Sequence, residues 1–123
     1  MNIVDSSAWL EYFADTKNAK NFAAAIENTK RLLVPSIVIY EVFKKVLIEK
    51  DENLALKVAA HMKQGRIIDV DLDISLSAAK IRAEKKLPMA DSIIYACSLR
   101  HNATVWTQDK DFKGLKRVKY FEK

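Results

Sequence analysis

Five short β-branched runs, separated by longer stretches with the 3.6-residue spacing of helices, constrain the fold of this 123-residue chain most tightly. The runs are residues 2–5 (NIVD), 31–35 (RLLVP), 66–70 (RIIDV), 103–107 (ATVWT) and 117–121 (RVKYF). Helical patterning occupies about 7–14, 18–29, 36–50, 52–64, 74–86 and 89–101. Strands alternating with helices are joined by right-handed crossovers, which predicts a mostly parallel sheet flanked by helices. Ser36 after Pro35 and Asp73 before Ile74 read as helix N-caps. Gly65 reads as the stop behind a helix ending in Met62-Lys63-Gln64. No repeat, low-complexity tract or linker interrupts the pattern, so one α/β domain is expected over 1–123.

Against that frame, four carboxylates are misplaced for ordinary surface acids. Asp5 closes the first apolar run, and Asp109 follows the fourth. Asp91 opens a helical stretch after Leu87-Pro88-Met89-Ala90, and Glu41 interrupts Ile37-Val38-Ile39-Tyr40. An unpaired carboxylate is costly to bury, so acids in such places call for a shared cation. In open α/β sheets, ligands bind beyond the carboxyl ends of strands, where strand order reverses. If the first and fourth strands are neighbours, Asp5 and Asp109 converge there. Taken singly, each acid has a plainer explanation. Asp5 can cap the first helix, Asp91 can face a helix dipole, and Asp109 and Asp111 can be turn residues. Glu41 can pair with Lys45 on an exposed helix face.

A cluster of oxygen donors without His or Cys suits Mg²⁺ or Mn²⁺ and suits zinc poorly. Such a site activates water and stabilises charge on a scissile phosphate. The charge distribution agrees with a polyanionic substrate. Lys and Arg number 10 against 11 Asp and Glu in residues 1–79, and 11 against 5 in residues 80–123. The net +5 therefore resides in the C-terminal third. That is the footprint of a phosphate-binding surface, although solubilising lysines give the same count.

The segments IVDSSAWL, VPSIVIYEV, LPMADSIIYA and ATVWTQDKDF, in that order, resemble the PIN-domain family, in particular its small VapC-type toxin ribonucleases. The resemblance implies a five-stranded parallel sheet of order 3-2-1-4-5 and metal-dependent endoribonuclease activity. It matches Asp5, Glu41 and Asp91 to the family's first three acidic ligands and Asp109 to the fourth, in Thr107-Gln108-Asp109-Lys110-Asp111-Phe112. Asp111 is the alternative fourth ligand. Ser6 matches a hydroxyl residue beside the first acid, where it would bond a metal-bound water, and Thr107 would orient the fourth acid. The resemblance also implies Mg²⁺ or Mn²⁺ as cofactor, an RNA substrate, a cognate antitoxin and a homodimer. Trp9, Phe13 and Phe43 are the apolar candidates for an interface. Residues 50–80 carry no part of the motif.

The remaining residues carry less. Cys97, the single cysteine, allows no intrachain disulfide and lies among Ile94, Tyr95, Ala96 and Leu99, as a buried structural thiol would. His61 and His101 are 40 positions apart, and His101 closes a helix, where a cation is favoured. Lys85 and Lys86 precede the Asp91 helix and are candidates for RNA phosphates. No apolar run approaches the roughly 20 residues of a membrane span. MNIVDSSAWL lacks the basic start of a secretory signal, so a cytoplasmic location is expected. Two enzyme folds of similar length fit poorly. A phosphoacceptor receiver needs paired acids after its first strand, where Ser6-Ser7 follow Asp5. A haloacid-dehalogenase-like phosphatase needs an aspartate where Ser7 stands. A non-catalytic RNA-binding or scaffold domain of the same fold remains the alternative.

Overall fold

In the computed structural model, which describes residues 1–123, all five β-branched runs become strands of one parallel sheet. They are β1 (Asn2–Val4), β2 (Leu32–Pro35), β3 (Arg66–Ile68), β4 (Thr104–Thr107) and β5 (Val118–Tyr120), in the order β3-β2-β1-β4-β5. The helices are α1 (Ser6–Ala14), α2 (Ala19–Ile26), α3 (Ser36–Glu49), α4 (Glu52–Met62), α5 (Leu72–Lys85) and α6 (Met89–His101). Both the parallel topology and the 3-2-1-4-5 order agree with expectation.

The central strands explain their own composition. Ile3 and Val4 point to opposite faces of β1, and both are fully buried, so helices cover the sheet on both sides. Leu32, Leu33 and Val34 repeat this on β2. The register pairs Val4 with Trp106, which places the next residues of β1 and β4, Asp5 and Thr107, side by side. This is the switch point of the sheet, where chain order reverses on either side of β1.

Local details depart from expectation in instructive ways. The N-cap of α5 is Asp71, whose carboxylate accepts from the Ile74 N–H at 2.9 Å; Asp73 sits inside the first turn. Ser36 is the first residue of α3, and no side chain caps that helix. Its lead residue Pro35 supplies a fixed φ instead. The α4 helix stops at Met62, and Gly65 serves packing: a Cβ there would stand 2.8 Å from Val34 Cγ2. Trp9 is fully buried and so offers no interface; its ring stacks on Phe13 at 5.6 Å. His61 lies edge-on to Trp9, Tyr12 and Phe13, a packing role. Burial, then Arg66 and Arg100, hold His101 below its usual pKa, so its cation is disfavoured despite the helix end. Cys97 is fully buried, and burial pushes its thiol up to about 11. No helix is long and apolar enough to cross a membrane.

Candidate metal centre

Asp5 stands just past β1 and caps α1, so one side chain serves two purposes. Oδ1 accepts from the Ala8 N–H at 3.0 Å and from Ser7 Oγ at 2.9 Å. Oδ2 accepts from Thr107 Oγ1 at 2.8 Å. These bonds favour the ionised form, but burial outweighs them and pushes Asp5 up to about 7, with Asp109 adding to the rise. Thr107 therefore orients the first acid by its hydroxyl proton. Its oxygen also accepts the Asp109 N–H at 2.9 Å, so it positions the fourth acid through the backbone.

Asp91 projects from the first turn of α6 and is 8% exposed. Burial, followed by the charges of Asp109, Asp5, Asp111 and Glu41, pushes it up to about 8. Its carboxylate makes no salt bridge, and the start of α6 is the one favourable partner its position supplies. Carboxylate oxygens of Asp91, Asp109 and Asp111 lie within 4.8 Å of one another. The last two come from a 3₁₀ turn at Lys110–Phe112, which Asp109 caps by accepting the Asp111 N–H at 2.9 Å. Both candidates for the fourth acid thus enter the same cluster.

Glu41 reaches the group from α3. Its Oε1 accepts from Ser6 Oγ at 2.8 Å, across the gap between α1 and α3. Ser6 thus holds a carboxylate of the group. Lys45 pairs with Glu49 at 3.0 Å, and the alternative Glu41–Lys45 pair does not form. The only other salt bridge joins Arg100 to Asp73, so five acids face one another without a counter-cation. An all-oxygen donor set in which burial and neighbouring charges disfavour the ionised forms of Asp5 and Asp91 fits a hard divalent ion. It lacks the nitrogen and sulfur donors of a zinc site.

The sequence matches the PIN domain family over residues 3–118, from the first strand to the start of the last. The chain belongs to the PIN-domain family. Solved structures of similar fold include a toxin–antitoxin complex from Klebsiella pneumoniae, with a TM-score of 0.81, 21% identity and 100% of both chains covered. Mycobacterium tuberculosis VapC20, described as a Sarcin-Ricin loop cleaving toxin, gives 0.79 at 17% identity over 94% of this chain and 95% of that one. DNA-bound VapBC from Salmonella typhimurium gives 0.76 at 16% identity over 99% and 98%. At these identities the likeness speaks for the fold. None of the curated protein sequences matches.

Two features of this PIN domain escaped the sequence reading. Ser7 donates to the Asp5 carboxylate, a role signalled only by its place two residues on, in the capping geometry of a helix start. Gln108, between Thr107 and Asp109, is buried and fixed on both amide atoms. Its Oε1 accepts from Asn18 Nδ2 at 3.0 Å, and its Nε2 donates to Glu11 Oε1 at 3.3 Å. Asn18 and Glu11 lie some 90 positions away, beyond the reach of any local pattern.

Proposed function

We propose that this PIN domain, residues 1–123, is a Mg²⁺- or Mn²⁺-dependent endoribonuclease that acts as the toxin of a toxin–antitoxin pair. One observation carries the reading: Asp5, Glu41, Asp91, Asp109 and Asp111 share one electrostatic neighbourhood at the switch point with no cation among them. Those five carboxylates are the residues that would hold the ion, with Asp91, Asp109 and Asp111 already gathered. Bound there, such an ion would supply water activation for hydrolysis of an RNA phosphodiester to 5′-phosphate and 3′-hydroxyl products and would offset charge on the phosphate.

The chain's own residues perform the positioning. Thr107, Ser7 and the Ala8 N–H hold Asp5 in one rotamer, and Ser6 holds Glu41. The short Asp109–Phe112 turn presents two acids from positions two apart. The basic C-terminal third supports a polyanionic substrate, and RNA is the class that the fold's relatives suggest. A protein antitoxin partner is proposed because one similar structure is a toxin–antitoxin complex and another is a member of the VapBC family of toxin–antitoxin systems. A homodimer and a cytoplasmic location belong to the same reading.

The test is cleavage of a mixed RNA pool by the purified protein with Mn²⁺ or Mg²⁺, against EDTA, Asp5→Asn and Asp91→Asn controls. Cleavage that needs the ion and both acids is expected. RNA that is bound and left intact by folded, ion-loaded protein would assign the fold to a binding module instead.

A further inference from the structure

A cavity of about 590 Å³ opens beside the acids, between the end of β5 and the start of α1. Ser7, Gln108, Asp109, Lys110, Tyr120 and Lys123 line it, together with Glu122. Asp109 belongs both to this wall and to the carboxylate cluster, so the two form one continuous surface. The volume falls within the roughly 300–1,000 Å³ of small-molecule sites.

The lining is unlike the acid cluster it adjoins. Lys110 and Lys123 make no salt bridge, although Glu122 and Asp109 are in the same cavity. Lys123 also lowers the pKa of Glu11 through its charge, after the hydrogen bond from Asn18 N–H. Lys113 Nζ lies 5.5 Å from the Tyr120 ring centroid and adds a third cation to the patch. The chain end that carries Lys123 is anchored: Asn18 Nδ2 donates to the Glu122 carbonyl at 3.1 Å and to Gln108 Oε1. Free ammonium groups and a tyrosine ring in one anchored cavity are the elements that grip single-stranded nucleic acid, by phosphate attraction and base stacking.

We propose that this cavity is a nucleotide subsite for single-stranded RNA, with Lys110 and Lys123 on the phosphate next to the scissile one and Tyr120 stacked on the base. The inference rests on the nuclease reading and specifies the side of the acids on which the strand lies. It separates this site from double-stranded RNA, which is recognised across a wide minor groove by shape.

The experiment measures anisotropy of a labelled mixed-sequence eight-nucleotide RNA with Ca²⁺ over a salt series, and Mn²⁺ affinity by calorimetry. The variants are Lys110→Ala with Lys123→Ala, Tyr120→Leu, Tyr120→Phe, and a control pair on α4 and α5, Lys57→Ala with Lys80→Ala. The cavity lysine pair should weaken binding several-fold and flatten the slope of log K against log salt by about 0.7, the value for one phosphate. Tyr120→Leu should weaken it about fivefold or more, and Tyr120→Phe should retain affinity. Mn²⁺ affinity should not fall in any variant, since none of these residues is an acid of the cluster and removing Lys110, between Asp109 and Asp111, takes positive charge away from the ion. Unchanged RNA affinity and slope in both the lysine pair and Tyr120→Leu would overturn the subsite, as would an equal loss in the control pair. A wild-type protein that cleaves RNA while the variants bind normally would sink the subsite alone. Tyr120-dependent binding without cleavage in Mn²⁺ would sink the nuclease reading and leave the subsite standing.

Discussion

The Thr107 hydroxyl donates to Asp5 Oδ2 at 2.8 Å across 102 positions of sequence, directly over the register that pairs β1 with β4. The same oxygen accepts the Asp109 N–H, so one side chain fixes two acids of the cluster. Thr107→Val keeps the shape and removes both bonds. It should lower Mn²⁺ affinity or cleavage about 10–100-fold, the usual effect of losing a partner of a ligand. It should also cost about 1–3 kcal/mol of stability, from the unpaired Asp109 N–H. Thr107→Ser should restore both quantities. Calorimetry and urea unfolding of the three proteins decide the matter, and a Val variant with normal ion affinity would remove Thr107 from the site.

The two raised carboxyls tie stability to pH in the ion-free protein. Asp5 and Asp91 move from 3.8 to about 7 and about 8. Between pH 4 and 8 the unfolded chain releases these protons while the folded chain keeps them. The folded state then binds more protons, and stability falls as pH rises through that window. In EDTA the urea midpoint should therefore decline from pH 5 to pH 8, and Asp91→Asn should flatten the decline and raise the midpoint at pH 8. A rising midpoint in wild type, or a lower one in Asp91→Asn at pH 8, would contradict the clustering of the acids.

Ser6 offers a milder perturbation, because its bond to Glu41 joins two helices without burying either group completely. Ser6→Ala frees the Glu41 side chain to sample other rotamers. The expected result is about a tenfold loss of ion affinity or activity with little change in melting temperature. An Ala variant with wild-type affinity would leave Glu41 positioned by packing alone.

Far from the site, Gly65 tests the packing of the sheet. A Cβ would lie 2.8 Å from Val34 Cγ2 and 3.0 Å from Leu32 Cδ2, both on buried side chains of β2. Neither can move without disturbing the core, so Gly65→Ala should cost about 1–3 kcal/mol by overpacking. Thermal unfolding reads this directly. A neutral substitution would show that the turn before β3 yields more easily than the core does.

Much of this architecture was legible because strand and helix periods alternate cleanly and the apolar runs of β1 and β2 are buried on both faces. The acids Asp5 and Asp91 stood out for the same reason: they interrupt apolar sequence. What the pattern could not resolve lies at the scale of a residue or two. The sequence points to Asp73 as the cap of α5, but the helix starts at Leu72, so the path of the backbone makes Asp71 the cap. Trp9, Tyr12 and Phe13 share one helix, and the sequence does not say that Trp9 alone faces fully inward. The Ser6–Glu41 bond spans 35 positions, beyond the reach of any local pattern. The choice between Asp109 and Asp111 dissolves in three dimensions, since the tight turn presents both to Asp91.

The central claim is that the five acids form a divalent-cation site, and titration of the ion-free protein with Mn²⁺ tests it most directly. Calorimetry and thermal unfolding of wild type and Asp91→Asn, at pH 7.5, give the two readouts. The account predicts saturable Mn²⁺ binding that raises the melting temperature of wild type and is lost in folded Asp91→Asn. Folded wild type that binds no ion, or an Asp91→Asn protein that binds it equally well, would contradict the claim.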